Sequence, residues 1–100
     1  MEFEIVATQT YESWFAALRD GMARKQIASR LFRLQAGHFG DCKPVGDGVH
    51  ELRFFQRAGY RIYYARDGAR LIVLLAGGDK SSQARDIEQA KSLWHQWQEK

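Results

Sequence analysis

The sequence predicts a single α+β domain over residues 1–100, with a curved, mainly antiparallel sheet and helices packed on one face. Three stretches carry apolar residues at helical spacing, and four others alternate or run apolar as strands do. Their order is strand–helix–helix–strand–strand–strand–helix. One hundred residues with 45% hydrophobic content suit one globular domain, and no repeat, linker or low-complexity segment divides them.

The first half of the chain predicts one strand and two helices. Residues 3–7 form the strand, and either Thr8 or Thr10 caps the first helix. Gly21 is expected to end this helix, because glycine is common just past a helix C-terminus. A second helix is predicted over residues 22–36, where apolar residues recur at spacings of four and three.

The second half begins with a predicted loop and a meander of strands. Residues 37–48 hold four glycines and the only proline, so we expect a loop there. The segment "VHELRFF" alternates as a strand. A hairpin follows it, with Asp67 and Gly68 as its turn, because this dipeptide is a strong hairpin signal.

The last strand and the last helix meet in the segment "GGDKSS". Residues 71–75 are apolar on both faces, as in a central strand. The helix is expected to begin at Ser81 or Ser82, one of which caps it. A Walker loop places its lysine directly after the second glycine, whereas Asp79 intervenes here and the first glycine is missing. A helix N-terminus with Lys80 beside it is still a usable phosphate site.

Charge is distributed unevenly along the chain. Residues 1–18 hold three acids and no base, whereas residues 19–100 hold fifteen bases and nine acids, a balance of +6. A basic body indicates a polyanionic partner, and solubility alone is the alternative. The N-terminus lacks a signal-peptide pattern, and the longest apolar run, residues 71–76, is too short for a membrane span. The single Cys42 excludes an internal disulfide and fits a reducing cytosol.

Charged residues lie in mid-strand on the face that the helices are expected to leave open. Alternation places four residues there: Glu51, Arg53, Arg61 and Tyr63. Arginine donates two parallel hydrogen bonds to a phosphodiester, so Arg53, Arg61 and Lys80 can hold one phosphate and its transition-state charge. A salt-bridged face, with Glu51 pairing either arginine, is the alternative.

Metal-free cleavage of RNA needs a base for the 2′-hydroxyl, stabilisation of the pentacovalent phosphate, and an acid for the 5′-oxygen. Glu51 and His50 are candidates for the base. They alternate along one strand, and Glu51 shares the face of Arg53. Tyr63 either stacks on a base or packs in the fold, and His50 is otherwise a surface or structural histidine.

The second helix carries basic residues off its apolar stripe. They form either a solvated face, a track for an RNA backbone, or a docking site for an acidic partner. These residues are Arg24, Lys25, Arg30 and Arg33.

The segments "ELR" and "GYRIYYARDGARLIVLLAGGDKSSQARDIEQAK" resemble the RelE/ParE superfamily of type II toxins. The similarity is greatest to the HigB-like branch labelled "addiction module killer protein", of which "LIVLLAGGDKSSQARDI" is a specific signature. The resemblance covers nearly the whole chain, including "RLFRLQAGHFGDCKPVGDGVHELRF". It implies a RelE-like fold and ribosome-dependent cleavage of mRNA, with no metal and no cofactor.

The resemblance also implies catalytic residues: Arg61 in "GYR", Arg53 in "ELR", and Lys80 in the strand-to-helix turn. Glu51 sits where some relatives carry a basic residue, and we keep it as a catalytic candidate. The tyrosine of the best-studied RelE pattern is absent after Lys80. RNA contacts are predicted for a further set: Arg57, Tyr63, Ser81, Lys43 and His50.

The partners implied by the resemblance are a cognate antitoxin, usually of helix-turn-helix type, together with the ribosome and mRNA. Operator DNA is expected only through the antitoxin, and the location is a bacterial or phage cytoplasm without a membrane. ParE members instead poison DNA gyrase without catalysis, which is the alternative function. The set of two arginines and one lysine favours the ribonuclease.

Overall fold

The structure is a computed structural model that describes residues 2–54 and 58–99. Five strands and three α-helices lie in these ranges, which confirms the α+β class. A 3₁₀ turn, Lys80–Ser82, precedes the last helix. The elements are β1 (Glu4–Ala7), α1 (Gln9–Ala17), α2 (Gly21–Gln35), β2 (Cys42–Gly46), β3 (Val49–Arg53), β4 (Arg61–Asp67), β5 (Leu71–Gly78) and α3 (Gln83–Gln98).

The sheet has the strand order β1-β5-β4-β3-β2. The pair β1–β5 is parallel and the other three pairs are antiparallel, so the mainly antiparallel sheet is confirmed. The strands β4 and β5 form the predicted hairpin, and Gly68 in its turn has a φ of +76°. The strand β5 lies between β1 and β4, as its two apolar faces predict.

The prediction of a loop over residues 37–48 is wrong in its second half. Cys42–Gly46 is the edge strand β2, paired antiparallel with β3. Its Pro44 lacks a backbone N–H, which an edge strand tolerates because one side of the strand has no neighbour. The turn from β2 to β3 holds Asp47 at a φ of +58°. The glycines therefore mark the turns around the strand rather than a continuous loop.

The prediction that all helices pack on one face of the sheet is also wrong. The helices α1 and α2 pack on one face, where Ile62 and Tyr64 of β4 belong to their cluster. The helix α3 packs on the opposite face, where Tyr63 and Ala65 cluster with Trp94. Two covered faces explain why the central strands are apolar on both sides.

The caps of the first two helices were predicted only in part. Thr8 caps α1, because its Oγ1 accepts a hydrogen bond from the Tyr11 amide at 3.1 Å. Gly21, expected to end α1, instead begins α2. The reason is Asp20, whose Oδ1 accepts from the Ala23 amide at 3.1 Å and so starts a new helix at this point.

Candidate functional site

One end of the sheet gathers the residues that the sequence singled out. There β3 ends at Arg53, β4 begins at Arg61 and β5 ends at Gly78. Arg61 is paired in register with both Arg53 and Gly78, so the three lie side by side across the sheet. Because the 3₁₀ turn follows β5 directly, Lys80 is brought to the same end.

The Arg61 side chain is held in place by protein contacts. Its Nη1 donates to the Gly59 carbonyl at 2.7 Å, and its Nε lies 3.5 Å from Glu51 Oε2. The side chain is 15% exposed. An arginine fixed in this way keeps the rest of its fork preorganised for an anion, since little rotational freedom is left to lose.

Glu51 lies in the protein interior instead of on an open face. Its side chain is fully buried, and Gln83 Nε2 at the start of α3 donates to its Oε2 at 2.8 Å. The same oxygen faces Arg61. The predicted open sheet face is therefore wrong at this position, because α3 covers it. The carboxylate connects β3, β4 and the beginning of α3.

Tyr63 is buried with Glu51 in the layer under α3. Burial raises the pKa of Tyr63, and the carboxylates of Glu51 and Asp86 raise it further, whereas Arg61 lowers it. The phenol therefore stays protonated at neutral pH. Its ring belongs to the core and offers no surface on which a base can stack.

Lys80 and Arg61 both lie against Gly59. The Lys80 amide donates to the Ala58 carbonyl at 3.1 Å, which ties the 3₁₀ turn to the segment before β4. A Cβ built on Gly59 would lie 3.2 Å from Arg61 Nη1 and 3.2 Å from Lys80 Cβ. Gly59 also has a φ of +63°, so glycine is favoured there for its conformation and for its lack of a side chain.

Arg53 has a different carboxylate partner. Its Nη2 donates to Asp41 Oδ1 at 3.1 Å, and both side chains are about one-third exposed. The Arg53 amide also donates to the Asp41 carbonyl at 3.0 Å. Asp41 immediately precedes β2, so this pair joins the end of β3 to the edge strand.

Comparison with known proteins places this chain in a family. The family described as "Phage derived protein Gp49-like (DUF891)" matches residues 13–94. The chain belongs to the Gp49-like family. An uncharacterized protein of Haemophilus influenzae is 46% identical to this Gp49-like protein over 93% of the chain and 94% of the relative. The "Putative toxin HigB3" of Mycobacterium tuberculosis is 36% identical over 77% of the chain and 73% of the relative.

The fold of this Gp49-like protein is also found among solved structures. A mutant of the E. coli toxin RelE, determined in the free state, superposes with a TM-score of 0.68 at 14% sequence identity. The match covers 89% of this chain and 98% of the RelE chain. The RelE-like fold is thereby confirmed, and with HigB3 it confirms the resemblance to the HigB-like branch of the RelE superfamily.

The 3₁₀ turn before α3 is capped by Asp79, and α3 itself has no side-chain cap. Asp79 Oδ1 accepts from the Ser81 amide at 2.9 Å and from the Ser81 hydroxyl at 2.6 Å. The Ser81 hydroxyl bond lowers the pKa of Asp79, with a smaller contribution from backbone amides. Ser82 occupies the position before α3, but its hydroxyl donates to Asp86 Oδ2 at 2.5 Å. The predicted serine cap is wrong because the 3₁₀ turn intervenes.

Of the remaining predicted RNA contacts, the structure describes Lys43 and His50. Lys43 is exposed on β2, opposite Glu51 in the register of the sheet. His50 stacks on Tyr64 with ring centroids 5.4 Å apart, on the face covered by α1 and α2. His50 thus lies on the other side of the sheet from Glu51, as alternation predicts. Arg57 lies outside the described residues.

No helix within residues 2–54 and 58–99 combines the length and apolar character that crossing a membrane requires. No group of three or more histidines, cysteines and acidic residues there has the arrangement of a metal site.

Proposed function

We propose that this protein is the toxin of a type II toxin–antitoxin system and that it cleaves mRNA on the ribosome. The observation that carries the proposal is the position of Arg61 and Lys80 on either side of Gly59, with Arg53 next to Arg61 in the sheet. The family membership and the HigB3 relative support the same function. The proposed partners are a helix-turn-helix antitoxin, the ribosome and mRNA, in the cytoplasm, with operator DNA reached through the antitoxin.

In the proposed reaction the 2′-hydroxyl oxygen attacks the adjacent phosphorus, and the bond from phosphorus to the 5′-oxygen breaks. The products are a 2′,3′-cyclic phosphate and a 5′-hydroxyl. The 2′-hydroxyl loses one proton and the leaving 5′-oxygen gains one. The pentacovalent transition state carries extra negative charge. Arg61 and Lys80 stabilise that charge, which is the contribution that the geometry supports best.

Glu51 has a positioning role in this proposal. It is buried and holds Arg61 through its Oε2, and Gln83 holds the same oxygen from α3. The two contacts fix the angle at which the arginine meets a phosphate. A fixed cation is worth more in the transition state than a mobile one, because no reorganisation is needed during the reaction.

Primer extension on translated mRNA, after the protein is induced, tests the proposal. The wild type should cut within translated reading frames. Arg61→Ala should reduce cutting by about 10²–10³-fold, the usual cost of removing one preorganised donor. It should also abolish growth inhibition while antitoxin binding is retained. Arg70→Ala is the matched control, because Arg70 is exposed beside the hairpin turn at the other end of the sheet.

An Arg61→Ala protein as toxic as the wild type would refute the ribonuclease. Intact mRNA together with DNA damage would instead identify the alternative, a poison of DNA gyrase that does not catalyse. Fold alone does not separate these functions.

A further inference from the structure

A pocket of about 380 Å³ opens between α2 and the end of β3. The helix contributes Ser29, Arg30 and Arg33, the end of β3 contributes Arg53, and Phe54 follows directly after the strand. Small-molecule sites in proteins begin at about 300 Å³, so this volume accommodates a ligand larger than a bare phosphate. The pocket adjoins the cluster described above, because Arg53 lines it and is the register partner of Arg61.

The electrostatics of the pocket favour an anion. Among the residues that line it, three are arginines and one, Asp41, is acidic. The acid is engaged with Arg53. Burial lowers the pKa of Arg30, and the like charge of Arg33 lowers it further. Cations crowded in this way are stabilised by an anion, since the anion relieves their mutual repulsion.

The hydrogen bonds of Arg30 leave a net positive charge in the pocket, where Asp41 is the one acid against three arginines. Arg30 donates to three backbone carbonyls, those of Arg53, Phe39 and Asp41, at 2.9–3.3 Å. Its guanidinium also lies 4.7 Å from the centre of the Phe54 ring. Carbonyls satisfy its N–H groups without cancelling its charge. Arg30 thus fixes the wall of the pocket, while the exposed Arg33 at the mouth is placed to contact a ligand.

We propose that this pocket binds a nucleotide of the RNA adjacent to the scissile phosphate, with its phosphate on Arg33 and Arg53. The apolar ring of Phe54 and the polar groups of Gln26 and Asp41 supply walls that suit a sugar and base better than a free phosphate. The inference depends on the proposed function, because it assigns a neighbouring unit of the same RNA. It goes beyond that function by giving the α2 arginines a place in substrate binding.

The test titrates the isotope-labelled protein with a 2′-O-methyl trinucleotide, which cannot be cleaved because its attacking hydroxyls are blocked. The amide signals of Ser29, Arg33 and Asp41 should shift on binding. Arg33→Gln should raise the Kd about tenfold, the equivalent of about 1.4 kcal/mol. It should also reduce the slope of log K against log salt by about 0.7, as expected for one lost phosphate contact on a single strand.

Arg70→Gln is the matched control, since it removes the same charge at the opposite end of the sheet and should leave both the Kd and the slope unchanged. Three outcomes would overturn the inference. The trinucleotide would leave the pocket signals unmoved, inorganic phosphate would shift them equally well at the same concentration, or Arg33→Gln would weaken antitoxin binding and not RNA binding.

Cleavage is measured separately on programmed ribosomes. A wild type that binds the trinucleotide in the pocket but does not cut mRNA supports the subsite and refutes the proposed reaction. A wild type that cuts mRNA but shows no pocket shifts refutes the subsite alone.

Discussion

Replacing Glu51 by glutamine separates two roles for the buried carboxylate. Glu51→Gln keeps the shape of the side chain and removes its charge, which leaves the Arg61 guanidinium beside a neutral amide. If Glu51 positions Arg61, the variant should fold less stably and cleave more slowly. If Glu51 is the general base, cleavage should be lost, because the glutamine cannot take the proton of the 2′-hydroxyl.

The loss of stability follows from two contacts to one oxygen. Gln83 Nε2 donates to Glu51 Oε2 at 2.8 Å, and a charged acceptor is worth about 1 kcal/mol more than a neutral one. Arg61 Nε is 3.5 Å from that oxygen, a gross attraction of about 5 kcal/mol at an effective dielectric constant near 20. Desolvation of the buried carboxylate offsets most of this attraction. We expect a net loss of about 2 kcal/mol in the free energy of unfolding, or about 10 °C in Tm.

The assay measures mRNA cleavage on programmed ribosomes across a range of pH, beside thermal unfolding of the free protein. Glu51→Gln should slow cleavage about tenfold, because the arginine loses its fixed orientation, and it should leave the shape of the pH profile unchanged. Glu4→Gln on β1 is the matched control, since Glu4 is exposed and should change neither property.

A positioning role for Glu51 would be refuted if Glu51→Gln kept the wild-type stability but changed the chemistry of cleavage. A general base contributes about 10²–10⁴-fold, so a loss of that size together with a changed pH profile and wild-type stability would make Glu51 the base.

Three further predictions test other parts of the structure. Gly59→Ala and Gly68→Ala should each cost about 1–2 kcal/mol, because both glycines have a left-handed φ. Only Gly59→Ala should slow cleavage, since its Cβ would crowd the Arg61 guanidinium and the Cβ of Lys80, whereas open space surrounds Gly68. The hydrogen bond from Ser81 lowers the pKa of Asp79, so it stabilises the fold above the ordinary aspartate pKa of about 3.9 and this is lost as pH falls through the lowered value. Ser81→Ala should therefore lower Tm at pH 7, and a difference that persists at pH 2 would contradict this assignment. Trp94→Ala should cost about 3–5 kcal/mol in chemical denaturation, because the ring is buried between α3 and the sheet.

Local sequence signals predicted the elements that local interactions determine. The Asp67-Gly68 turn was predicted because a hairpin turn depends on the conformations of its own residues. The helix over residues 22–36 was predicted within one residue at each end, because its apolar spacing is regular. The cap of α1 was predicted as Thr8 or Thr10, and the structure shows Thr8. Asp20 was missed, although an aspartate before a helical stretch is an available signal.

Contacts between distant elements could not be read from the sequence. The alternation of β3 and β4 placed Arg53 and Arg61 on one face, and their pairing in register agrees. It did not show that α3 covers that face, because an apolar stripe on a helix does not specify which side of a sheet it meets. The bond from Gln83 to Glu51 joins residues 32 apart in the chain, and no local pattern marks either partner.

The most direct test of the central claim uses purified protein and ribosomes programmed with a defined mRNA. We predict a cut within the codon in the ribosomal A site, with a 2′,3′-cyclic phosphate and a 5′-hydroxyl at the ends. The cut should be strongly reduced by Arg61→Ala and by Lys80→Ala and unaffected by Arg70→Ala. Intact mRNA with the wild-type protein, or equal cutting by wild type and Arg61→Ala, would contradict the account.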